Sequence, residues 1–85
     1  MSDLLVWFLA RDGCRLCDEA RPLVEGAARR LRVDLVEVDI DTDDELIARY
    51  GLRIPVVLGR NDQVIAEGVI DDARALLRAM RALSG

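Results

Sequence analysis

The chain has 85 residues, 52% hydrophobic and 33% charged, with a net charge of −4 and no histidine. That length implies one domain, residues 1–85, with a small core, so any chemistry should sit at an edge or loop and use few groups. The acidic balance argues against a nucleic-acid partner, and the missing histidine removes Ser-His-Asp and Cys-His catalysis along with the commonest zinc ligand.

All 12 basic residues are Arg, whose guanidinium fork suits carboxylates. Met1-Ser2-Asp3 carry no basic run, and the apolar stretch from Leu4 to Ala10 is too short for a signal core with its cleavage site or for a membrane span. A soluble, cytoplasmic, monomeric protein with no membrane partner is the expectation.

Leu4 to Ala10 (LLVWFLA) reads as a strand buried on both faces, which requires helices on both sides of a sheet. Trp7 and Phe8 point to opposite faces of it, and both are expected in the core. From Leu16 to Leu31 the spacing is helical, with Leu16, Ala20, Leu23, Val24, Ala27 and Leu31 on one stripe. Pro22 lies inside that helix, where it should kink the helix or remove a bond of its first turns. Asp34 to Ile40 alternates, with Val36, Val38 and Ile40 on one face and Glu37 and Asp39 on a wetter one. Thr42-Asp43-Asp44-Glu45 matches a capping box ahead of a short helix, and Gly51 should end it.

Ile54 to Leu58 and Gln63 to Ala66 read as two strands of a hairpin, joined by Gly59-Arg60-Asn61-Asp62. Gly68 breaks the chain. Asp71 or Asp72 can cap a last helix whose stripe is Ala73, Leu76, Leu77, Met80 and Leu83. The order βαβαββα gives an α/β fold. A parallel βαβ unit and a hairpin make a mixed four-stranded sheet with helices on both faces.

The only two cysteines, in Cys14-Arg15-Leu16-Cys17, fall between the first strand and the first helix. Taken alone, such a pair can be structural, half of a metal site or redox-active. Two ligands do not complete a tetrahedral metal site. At a helix N-terminus, free N–H groups and the helix dipole favour a thiolate, and a CxxC at a βα junction fits the redox case. The offset places both sulfurs on one side of the helix. Cys14, outermost, is assigned as the attacking thiol and Cys17 as the resolving one. Arg11 and Arg15 should favour a Cys14 thiolate; Asp12, Asp18 and Glu19 should oppose it. "DIDTDDE", residues 39 to 45, fails as a calcium loop, because Asp44 and Tyr50 stand where Gly and Glu are needed.

The chain resembles glutaredoxins and thioredoxins, and most closely the short bacterial glutaredoxin-like proteins with a C-x-L-C motif. The likeness rests on Cys14-Arg15-Leu16-Cys17, on Pro22 five residues beyond, and on "YGLRIPVV", residues 50 to 57. It implies a thioredoxin-like fold in which Pro55 is a cis-proline facing the cysteines and the backbone of Ile54 pairs with a substrate chain. It also implies that Arg11 binds a glutathione carboxylate, and that Gly68, Asp71 and Asp72 of "EGVIDD" hold its γ-glutamyl end. A solvated Arg11, an edge-strand Pro55 and helix-capping aspartates are the alternatives that the residues leave open. The motif interior is Arg-Leu rather than Pro-Tyr or Gly-Pro, and Val56 stands where Thr is usual.

The expected function is a thiol-disulfide oxidoreductase using Cys14 and Cys17. It would have no bound cofactor and no metal, with glutathione as a candidate reductant. Its partner would be a disulfide-containing protein or a glutathione mixed disulfide. The alternatives are a non-catalytic interaction module of the same fold and an iron-sulfur or metal-binding dimer.

Overall fold

The computed structural model describes residues 5–84. Leu4, expected to open the first strand, and the side chain of Leu83 lie outside the described residues. The elements are β1 (Leu5–Ala10), α1 (Arg15–Leu31), β2 (Asp34–Asp39), α2 (Asp44–Tyr50), β3 (Val56–Leu58), β4 (Val64–Glu67) and α3 (Ala73–Ser84). Short 3-10 turns at Ile40–Thr42 and Arg60–Asp62 complete the chain.

The sheet order is β2-β1-β3-β4. β1 and β2 run parallel, with Leu5 opposite Asp34 and Ala10 opposite Asp39. β3 is antiparallel to both β1 and β4, and the β3–β4 register slips between Val57 and Leu58. The sheet is therefore mixed and four-stranded, with the order of elements read from the sequence.

Two apolar clusters form, one on each face. Val6, Phe8, Ala10 and Val57 pack with Cys17, Ala20 and Val24 of α1 and with Leu76 and Met80 of α3. Leu9, Val56 and Leu58 pack with Ile40 and Tyr50, and α2 adds Leu46 and Ile47. Phe8 is fully buried, and a side chain of that size contributes about 1.5–3 kcal/mol by leaving water.

Several details differ from the sequence reading. β1 is not buried evenly: Leu5 and Trp7 are half-buried, because the short α2 covers only the later part of that face. Leu16 is 38% exposed rather than on the core stripe, and Cys17 is the residue that the first turn of α1 turns into the core. Val36 is 42% exposed on edge strand β2, where α2 does not reach. Pro22 sits within a continuous α1, so its missing N–H leaves the Asp18 carbonyl without its usual donor while the helix carries on.

The α2 cap is Asp43 rather than Thr42. Asp43 accepts from the Glu45 N–H at 2.9 Å, whereas the Thr42 hydroxyl donates to the Asp39 carbonyl at 2.7 Å. Gly51 ends α2 but keeps a right-handed conformation, φ −53. Its glycine is needed for space, because a Cβ there would lie 2.5 Å from the Ile47 carbonyl oxygen.

Candidate functional site

β1 and β2 deliver their C-terminal ends side by side, as the pairing of Ala10 with Asp39 requires. The turn after β1 bends through Gly13 at φ +75, a conformation that favours glycine. Cys14 then caps α1 from an extended backbone. Its Sγ accepts from the Cys17 N–H at 3.1 Å and its carbonyl from the Asp18 N–H at 3.0 Å. The sulfur thus takes the place of the usual capping oxygen and meets one of the free donors of the first turn.

Cys14 and Cys17 are joined as a disulfide with a Cα–Cα distance of 5.2 Å. Cys17 is fully buried in the cluster with Val6, Phe8 and Val57, while Cys14 is half-buried at its margin. Solvent therefore reaches the pair through Cys14. Among the described residues no charged side chain is buried, so no carboxylate stands in the core beside Cys17.

The nearby arginines are all engaged by carboxylates. Arg11 donates to Asp41 from Nε, at 3.2 and 3.3 Å to its two oxygens, and from a terminal amine as well. This pairing raises the Arg11 pKa and lowers that of Asp41 below the usual carboxylate value. Arg15, with its side chain 90% exposed, pairs with Glu19. Arg21 clasps Glu37 through two bonds at 2.8 and 2.9 Å, reaches Asp18 at 2.8 Å and lies over the Phe8 ring. Hydrogen bonding to Glu37 and Asp18 holds its pKa well above the ordinary value. In the disulfide form neither the Arg11 nor the Arg15 guanidinium hydrogen-bonds a cysteine.

The Ile54–Pro55 peptide is cis. Pro55 is buried, and Ile54 packs against both clusters, including the one that holds Cys17 and borders Cys14. The N–H groups of Arg53 and Ile54 both donate to the Tyr50 carbonyl, at 2.8 and 3.0 Å. An incoming chain could thus use the Ile54 carbonyl but not its N–H without displacing a bond. Gly68, at φ +75, donates to the carbonyls of Arg53 (3.2 Å) and Pro55 (2.9 Å). The structure therefore brings Gly68 to the proline loop.

Asp72 caps α3, accepting from the Ala75 N–H at 3.1 Å. Asp71 and Asp72 line a groove of about 260 Å³ between β4 and α3, over Ile65 and Ile70, and no cysteine lines it. A more apolar groove of about 410 Å³ runs between α1 and α3, over Leu23, Ala27 and Leu77, also without a cysteine. Neither of these two grooves joins the aspartates to the cysteine pair.

Sequence reasoning missed Asp41 and Glu37. The signal was available in the βαβ topology. Residues that follow adjacent parallel strands lie next to each other, so Arg11, after β1, should meet the chain leaving β2.

Residues 5–79 match the model of the Glutaredoxin-like domain (DUF836) family. No curated protein matches the chain significantly. A structural-genomics target protein from X. campestris is similar at 30% identity and a TM-score of 0.75, over 91% of this chain and 96% of that one. A mutant thioredoxin from Halobacterium salinarum is 24% identical, TM-score 0.72, over 99% of this chain and 77% of that one. Oxidised mitochondrial thioredoxin 3 from Saccharomyces cerevisiae is 19% identical, TM-score 0.69, over 96% of this chain and 80% of that one. The fold is thioredoxin-like. No described helix is long and apolar enough to cross a membrane.

Proposed function

We propose that this chain, which belongs to the Glutaredoxin-like domain family, is a thiol-disulfide oxidoreductase. The observation that carries the reading is the Cys14–Cys17 disulfide at the start of α1, with one sulfur accessible and the other fully buried. In the reduced protein the Cys14 thiolate attacks one sulfur of a substrate disulfide. A mixed disulfide forms, and the other substrate sulfur leaves as a thiolate that takes up a proton. Cys17, deprotonated, then attacks Cys14. The second substrate sulfur leaves as a thiolate and the internal disulfide closes; two electrons pass to the substrate, and its two thiolates take up the proton lost by Cys17 and one from water.

The Cys17 N–H that meets the Cys14 sulfur and the dipole of the 17-residue α1 both support negative charge on Cys14. With no buried carboxylate at hand, the Cys17 proton goes to the departing thiolate or to water. The site would include Ile54 and Pro55 as the wall met by the substrate chain, with Gly68 holding that wall. An outside dithiol, glutathione or a reductase would restore the thiols. The place of action is the cytoplasm, and the protein works as a monomer on disulfide-containing proteins or glutathione mixed disulfides.

The test is turnover of 2-hydroxyethyl disulfide with a dithiol donor. Cys14→Ser should abolish it, and Cys17→Ser should trap a mixed disulfide on Cys14 detectable by mass. Wild-type turnover by Cys14→Ser would sink the assignment.

A further inference from the structure

Resting on the oxidoreductase reading, the pair formed by Arg11 and Asp41 bears on which disulfides the site accepts. Arg11 follows β1 directly and stands three residues before Cys14. A trans chain advances 3.8 Å per residue, so the two Cα atoms lie within about 11 Å. At low ionic strength, charges act well beyond that distance. Arg11 is therefore a charge that a substrate on Cys14 would feel.

That charge is occupied from within. Both Nε and a terminal amine of Arg11 bond the Asp41 carboxylate, the fork geometry by which a guanidinium recognises a free carboxylate. Asp39 reinforces the arrangement by accepting from the Asp41 N–H at 2.9 Å, which anchors the turn. The two side chains remain 34% and 45% exposed, so the pair sits at the surface, within reach of a competing anion.

We propose that Asp41 is a specificity-determining residue. By holding the donor edge of Arg11, it denies that edge to a substrate carboxylate, and the site takes neutral or cationic disulfides ahead of anionic ones. Asp41 acts through Arg11 and touches no reacting atom.

The experiment measures the rate at which the reduced protein reduces dithiodiglycolate (anionic), 2-hydroxyethyl disulfide (neutral) and cystamine (cationic) at low salt. The readout is the anionic-to-neutral rate ratio within each protein, which cancels any general change in activity. Asp41→Asn and Asp41→Ala should each raise that ratio about fivefold, the scale of one unit-charge contact in water. Adding Arg11→Gln to Asp41→Asn should return it to the wild-type value, and high salt should shrink the gain. In the wild type, cystamine should outpace dithiodiglycolate. A ratio unchanged in both Asp41 variants, or a gain that survives Arg11→Gln, overturns the inference while leaving the oxidoreductase reading standing. A wild-type protein that reduces none of the three overturns that reading itself.

Discussion

The turn that carries Cys14 and the loop that carries Pro55 are built in opposite ways. The loop is tied by backbone: Arg53 and Ile54 donate to Tyr50, and Gly68 donates to Arg53 and Pro55. Arg53 also pairs with Glu67 at 2.6 Å and lies 5.2 Å above the Tyr50 ring. The turn has fewer ties. Gly13 is left-handed, Arg11 reaches out to Asp41, and the closure is the Cys14–Cys17 bond together with the helix cap made by the same sulfur. The ties of the loop involve no cysteine. The turn is shaped in part by the bond that the proposed chemistry makes and breaks.

The largest break in this comparison should come from the fixed side. Gly51→Ala puts a Cβ 2.5 Å from the Ile47 carbonyl oxygen, a backbone atom that cannot swing aside. Overpacking of this kind costs about 1–3 kcal/mol, which for a domain of this size lowers Tm by several degrees. Gly26→Ala is the control. Apart from its chain neighbours and the adjacent backbone of α1, nothing lies within 4 Å of where a Cβ would stand, so this helix-interior change should stabilise by about 0.5–1 kcal/mol. Thermal melts of both variants decide the matter. If Gly51→Ala melts with the wild type, the close approach is not what fixes the end of α2.

Reducing the disulfide should have a smaller and local effect. The bridge spans a sequence separation of 3, and for so short a loop chain entropy accounts for about 2 kcal/mol at most. Hydrogen exchange should report faster exchange at the Cys17 and Asp18 amides after reduction, with the Ile54 and Gly68 amides unchanged. Equal acceleration in both regions would show that the loop is not independent of the turn.

The same division marks what could be read from the sequence. The βα junction of the cysteines, the β3–β4 hairpin and the cap at Asp72 are local patterns, and each was legible from spacing and turn residues. The parallel β1–β2 pair followed from the βαβ order, whereas the thioredoxin-like fold rested on the resemblance carried by Cys14-Arg15-Leu16-Cys17 and residues 50 to 57. Missed details depended on where an element ends against its neighbours. Leu16 and Val36 fit their stripes by spacing, but both are exposed. Gly51 read as a conformational stop, while its role is a close approach that no local pattern records. Asp41 lies 30 residues from Arg11, and only the paired ends of β1 and β2 bring them together.

The smallest effect tests the tie of the turn to β2 through pH. Asp41 has a lowered pKa in the folded protein, chiefly because Arg11 hydrogen-bonds its carboxylate. A depressed folded pKa means that the unfolded chain binds the proton first as pH falls. The stability from this group is therefore present above the ordinary carboxylate pKa and is lost as pH drops through the folded value. Urea midpoints at pH 7 and near pH 3 should fall further for the wild type than for Asp41→Asn, whose amide does not titrate. Because both side chains are exposed, the difference should be small, and salt should erase most of it. Identical pH dependence in the two proteins at low salt would mean that the Arg11–Asp41 pair does not hold the turn in solution, and the tie of the turn to the end of β2 would fall away.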